Sequence, residues 1–142
     1  MHMDTAIWSR LHGGATHFPI ALLVVSLVFD LAGFWWQNDR RRRDLCAVGL
    51  YSLLIAAAAA PAAVLSGIAL SKGQLLGSGR LALHHYFIWP AFGLLMGLAA
   101  WRLVVREKAS RRAFGGYLLL LGLATAAMLG AGYWGGEMII GN

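Results

Sequence analysis

The sequence predicts an all-α integral membrane protein, an up-down-up-down four-helix bundle with both termini on the outer side. Three observations carry this: a composition poor in charge, four long apolar stretches, and cations gathered at one end of those stretches. Of the 142 residues, 59% are hydrophobic and only 13% charged, against ~25% charged in soluble domains. Mean hydropathy is +0.65. So few charges cannot cover the surface of a small soluble domain, which excludes a soluble globular enzyme as well as a disordered chain.

A hydrocarbon core ~30 Å thick takes ~20 residues of apolar helix, and the chain holds four stretches of that length. The first is expected over about 16–36. Thr16 is placed to cap it, and Pro19 falls in its first turn, where a missing N–H costs little. It does not read as a cleavable signal peptide: its positive flank is the lone Arg10, its apolar run is too long and no A-x-A site follows. The second is expected over about 45–70 and the third over about 81–105. They contain Pro61 and Pro90 respectively, each deep enough to bend its helix. The fourth is expected over about 113–134. The connections are short, which makes successive helices antiparallel and gives a single transmembrane domain over 1–142. Trp8, Trp35, Trp36, Tyr86, Trp89, Trp101, Tyr133 and Trp134 lie near the helix ends, as an interfacial belt requires.

The net charge of +6 does not indicate nucleic-acid binding, because the cations lie between apolar blocks and not along one face. Arg40, Arg41, Arg42, Arg43, Arg102, Arg106, Lys108, Arg111 and Arg112 fall on one side, and only Arg10, Lys72 and Arg80 on the other. The positive-inside rule then puts the arginine-rich connections in the cytoplasm and the termini with the 2–3 loop outside, as in a multi-pass protein of the bacterial inner membrane. The single cysteine, Cys46, excludes an internal disulfide, a CxxC metal site and CxxCH haem attachment.

The scarce polar residues collect at the outer end. His2, His12, His17, His84, His85 and Glu137 all map there. His17 near the start of helix one and His84 or His85 near the start of helix three sit at matched depth on helices that are commonly diagonal in such bundles. Neutral imidazoles suit a transition metal in a low-dielectric site, so this pair is the expected ligand set for haem b. Gly67, Gly132 and Gly136 are expected to leave room for a porphyrin, and Arg10, Lys72 and Arg80 are the cations available to its propionates. Arg80 precedes His84 by four residues and shares its helix face. An alternative is a non-haem copper, zinc or iron site of N/O donors from His12, His17, His84 or His85 and Glu137. Another is a polar cluster that only ties helix ends together. The pairs Gly93/Gly97 and Gly132/Gly136 also read as helix-packing seams. Asp30, the one acid inside a helix, reads either as a proton relay or as a structural group bonded to Ser52 or to backbone; the structural reading is favoured because no second buried acid extends a relay.

The segment Leu11-His12-Gly13-Gly14-Ala15-Thr16-His17-Phe18-Pro19-Ile20-Ala21-Leu22, followed by Phe29-Asp30, resembles the opening of the four-helix membrane proteins grouped as domain of unknown function 2231. Their pattern is close to H-P-x-x-V-H-F-P-I-A-L, with an acid late in helix one. A histidine early in helix three and the closing Gly132-Tyr133-Trp134-Gly135-Gly136-Glu137 match the family as well. Two departures are visible: Gly13 replaces the usual proline, and the tail after Glu137 lacks the histidine of many relatives. Relatives joined to Rieske-type iron–sulfur domains imply redox company. The resulting expectation is a small cytochrome b-like subunit carrying electrons near the periplasmic face, more an accessory than an enzyme. Its expected partners are lipid, a larger membrane complex or periplasmic redox protein, and a quinone. An alternating-access transporter is disfavoured, since no inverted repeat or interrupted helix pair is present.

Overall fold

The structure, a computed structural model, describes residues 2–105 and 108–140, with side chains over 6–105 and 108–138. The side chain of His2, and Arg106, lie outside the described residues. Four helices follow one another: α1 (His2–Trp35), α2 (Asp39–Leu70), α3 (Gly79–Val105) and α4 (Arg111–Ile140). Each is long and apolar enough to cross a membrane. The expected architecture is therefore present, and the chain is a multi-pass membrane protein.

All four helices exceed the apolar stretches that announced them. The reason is local: hydropathy marks the portion that fits hydrocarbon, while caps mark where a helix starts and stops. Asn38 caps α2, its side chain accepting from the Arg41 N–H at 3.1 Å, with Asp39 in the first turn where the helix dipole favours an acid. Ser110 caps α4 through the Ala113 N–H at 3.2 Å. α1 starts at His2 and not near Thr16, so Thr16 is no cap; its hydroxyl donates back to the Gly13 carbonyl at 3.0 Å. All three prolines lie within continuous helix. The α2–α3 connection turns through left-handed positions at Lys72, Gly73, Gly77 and Gly79, and Trp89 fastens it by donating to the Leu75 carbonyl at 2.8 Å.

α1 packs most extensively on α2, and α3 on α4; the two hairpins then meet along α1–α4 and α2–α3. α1 and α3 thus form one diagonal, α2 and α4 the other. The core is built of small residues, among them Ala56, Ala60, Ala91 and Ala124, around the fully buried Leu23, Leu53, Leu95 and Leu121. Large apolar side chains point outward instead, as at Phe18, Leu65, Val104 and Leu119. Where lipid is as apolar as leucine, helices associate through close packing of small residues, and this inside-out distribution is the result. Gly93 and Gly97 are not a seam within the bundle: both are exposed, with open space where a side chain would stand.

Candidate functional site

The start of α1, the end of α4 and the α2–α3 loop share one end of the bundle, here the terminal end; the arginine-rich connections share the other. At the terminal end His12 projects from α1 toward α2. Its Nδ1 lies 3.0 Å from the Ala63 carbonyl and 3.2 Å from Ser66 Oγ, whose own hydroxyl donates to the same carbonyl at 2.9 Å. His84 projects from α3 toward α4, with Nδ1 2.8 Å from the Ala131 carbonyl. A carbonyl oxygen only accepts, so in each ring Nδ1 carries the proton and donates. A neutral imidazole held this way keeps its lone pair on Nε2, the arrangement that orients histidine ligands in metal sites. The two ring centres stand 6.4 Å apart with their planes at 78°. His85 adjoins them, 5.7 Å from His84 and 6.0 Å from Trp89. It is buried, and its Nδ1 has no hydrogen-bond partner among the described residues.

The pairing of His17 with His84 is corrected: the residue opposite His84 is His12. Because α1 begins at His2, positions 12 and 17 both lie inside it. Five residues at 3.6 per turn set them ~140° apart, so only one can face the bundle. His17 is exposed and bonded through Nδ1 to the Gly13 carbonyl of its own helix. Both His84 and His85 belong to the cluster, with His84 the one anchored across to the neighbouring helix.

The glycines serve the imidazoles more directly than they would a porphyrin. A Cβ on Gly67 would stand 2.8 Å from His12 Cε1, so this glycine admits the ring. Gly135, and not Gly136, plays that part for His84, 3.5 Å from its Nδ1. Gly132 and Gly136 open onto space, with Ile20 the only near neighbour of Gly132 at 3.8 Å. Arg80 donates to the Glu137 carbonyl at 2.9 Å, joining α3 to the last turns of α4; Arg10 is exposed. Among the described residues no three His, Cys, Asp or Glu side chains come together as a set for one metal ion. Among the described residues, the cluster at this end offers two oriented imidazoles with a third beside them.

A second polar cluster occupies the arginine end, and sequence reasoning missed it. Asp30 is fully buried, and its partners are neither Ser52 nor backbone. Arg102 Nη2 lies 3.3 Å from Oδ1, and the Tyr117 hydroxyl donates to Oδ2 at 2.6 Å. Arg102 donates also to the Cys46 carbonyl at 2.9 Å and lies over the rings of Phe114 and Tyr117, 5.1 Å from each. All four helices contribute. Arg102 is only 4% exposed, so it is not one of the topogenic cations; eight remain in the arginine-rich connections. The signal available in the sequence was the presence of one acid and one base inside the spans, which in a membrane bundle generally pair.

No curated protein and no solved structure matches the chain. The family model described as predicted membrane protein (DUF2231) matches residues 9–141. That span includes the histidine cluster, the Asp30–Arg102 pair, all of α2, α3 and α4 and most of α1, and the chain belongs to this family of membrane proteins.

Proposed function

We propose that the protein is a small haem-b-binding membrane subunit, with His12 and His84 as the protein's two ligands and electron transfer as its role. The observation that carries this reading is the donor set. Two imidazoles on diagonal helices, each fixed by Nδ1 to a carbonyl, have their ring centres 6.4 Å apart, and among the described residues no third donor completes a metal set with them. A metal ion that depends on the protein for its coordination needs three or four such groups, whereas a metal in a porphyrin brings four of its own and needs only axial ones. The ring centres of His12 and His84, 6.4 Å apart, are near enough for both imidazoles to reach one metal at ~2.0 Å.

Bound there, haem would supply reversible one-electron chemistry. The protein's residues supply the rest: Ala63 and Ala131 fix the tautomers, and Gly67 and Gly135 make room for the rings. Arg80 and Arg10 stand at the same end as cations for propionates. By the positive-inside rule that end faces the periplasm of a bacterial inner membrane, where a redox protein, a larger complex or a quinone would exchange electrons. Absorption spectra of the purified protein from haem-replete cells, oxidised and reduced, provide the test. A Soret band with a reducible α band is expected, lost in His12→Ala. Absence of both bands in the wild type sinks the reading.

A second reading has its own observation. His12 ties α1 to α2 and His84 ties α3 to α4, so the imidazoles also suit a structural subunit whose helix ends they fasten. Colourless wild-type protein destabilised by His12→Ala would favour it.

A further inference from the structure

The two hairpins correspond at a set of matched positions. A shift of 72 residues carries α1 onto α3, placing His12 on His84, Leu23 on Leu95 and Asp30 on Arg102. A shift of 68 carries α2 onto α4, placing Leu53 on Leu121, Ala56 on Ala124, Ala63 on Ala131 and Gly67 on Gly135. Burial follows the shift: Leu23, Leu95, Leu53, Leu121, Ala56 and Ala124 are all at 0% exposure. So do the interactions. In each half the histidine of the first helix donates Nδ1 to an alanine carbonyl of the second, and the glycine one turn beyond that alanine lies against the ring. Eighteen residues after the histidine, each first helix carries its one buried charge, Asp30 in one half and Arg102 in the other, and these meet. α1 and α3 run in the same direction on one diagonal, as halves related by a twofold along the bundle axis must. In membrane proteins built of repeats, sites form at the interface between the repeats.

We propose that the chain is a duplicated helical hairpin and that its pseudo-twofold axis passes between His12 and His84, making them equivalent ligands. The site so formed takes one group per chain, coordinated at two opposed positions, the class to which a metal in a planar macrocycle belongs. This rests on the haem reading and adds to it the number of groups and the equivalence of both ligands. His85 marks where the halves differ, since its counterpart is Gly13. At 9% exposure, with Nδ1 unpartnered among the described residues, it is a polar group left for the occupant on one side only, and it is not an axial ligand.

The experiment adds haemin to the purified full-length protein, and to its His12→Ala, His84→Ala, His85→Ala and His17→Ala variants, and follows absorption and electron paramagnetic resonance. The wild type is expected to bind one haemin per chain as a six-coordinate, low-spin species. His12→Ala and His84→Ala each lose that species to the same extent, and imidazole added to the buffer restores it in both, which also shows that the variants are folded. His85→Ala and His17→Ala keep it. Haemin bound but with six-coordination lost in His85→Ala or His17→Ala, retained in His12→Ala, or reached with two haemins per chain, overturns the equivalence while leaving haem binding in place. A wild type that takes up no haemin overturns both.

Discussion

Asp30 Oδ1 and Arg102 Nη2 meet 3.3 Å apart across the α1–α3 diagonal, at 0% and 5% side-chain exposure. A charge sealed within a membrane bundle is tolerable only when paired, and here the partners come from opposite hairpins. Removing one leaves the other uncompensated, which costs about 3–5 kcal/mol, whereas removing both costs far less. Asp30→Ala and Arg102→Leu are each expected to lower the unfolding temperature of the detergent-solubilised protein strongly. The double variant is expected to recover much of that loss. Single and double variants of equal stability would show that the pair does not couple the hairpins.

Tyr117 acts on the same carboxylate in two separable ways. Its hydroxyl donates to Asp30 Oδ2 at 2.6 Å, while its ring lies beneath Arg102 and stacks on Trp101 at 5.3 Å. Tyr117→Phe keeps the ring and removes only the hydroxyl, and a hydrogen bond to a charged group is worth about 1.5–3 kcal/mol. The expected loss of stability is of that size, with Tyr117→Leu losing more. Chemical denaturation followed by tryptophan fluorescence separates the two. A Phe variant as damaged as the Leu variant would mean that the ring contributes nothing of its own.

Glycine substitutions distinguish close approach from mere smallness. Gly67→Ala places a methyl 2.8 Å from His12 Cε1, so the ring must move and its bond to Ala63 weaken. Less bound haem is expected, read as the ratio of Soret to protein absorbance. Gly49→Ala intrudes on the Asp30 carboxylate itself, so it is expected to reduce stability without altering the haem spectrum of the protein that folds. Gly132→Ala and Gly136→Ala meet open space or contact at 3.8 Å and are expected to change neither property. A loss of haem at Gly136 equal to that at Gly67 would put the porphyrin against α4, as glycine content alone suggests.

The sequence exposes the architecture because burying apolar surface in lipid leaves a pattern one chain can display: long apolar runs, short connections and unequal cations. Phase around a helix is less visible. Whether His12 or His17 faces the core depends on where α1 sits in the bundle, and with apolar residues on every face no amphipathic stripe fixes that rotation. Reading Thr16 as a cap also hid four earlier turns. Arg102 lies near a helix end and so counts among the topogenic cations by sequence alone, although its burial separates it from the exposed Lys108 and Arg111. The hairpin duplication was legible through self-comparison, but only seven of twenty-five aligned positions agree between 46–70 and 114–138. Its one charged pair, Asp30 against Arg102, is complementary and not identical.

Orientation follows from the cations that remain once Arg102 is set aside. Arg40, Arg41, Arg42 and Arg43 lie in the first turns of α2, and Arg111 and Arg112 open α4, all exposed or half-buried. With Arg106 and Lys108 they outnumber Arg10, Lys72 and Arg80 by eight to three. Counted over short loops, that bias is expected to hold the arginine end in the cytoplasm. In a Cys46→Ser background, a cysteine at Ser78 in the α2–α3 loop is expected to react in whole cells with a membrane-impermeant maleimide, and one at Ser110 only after lysis. Both sites are exposed, so reactivity reports sidedness and not burial. Neutralising Arg40 to Arg43 reduces the bias to four against three, and mixed labelling at both cysteines is then expected. Labelling at Ser110 in intact cells of the unaltered topology would invert the bundle and place the histidine cluster on the cytoplasmic side.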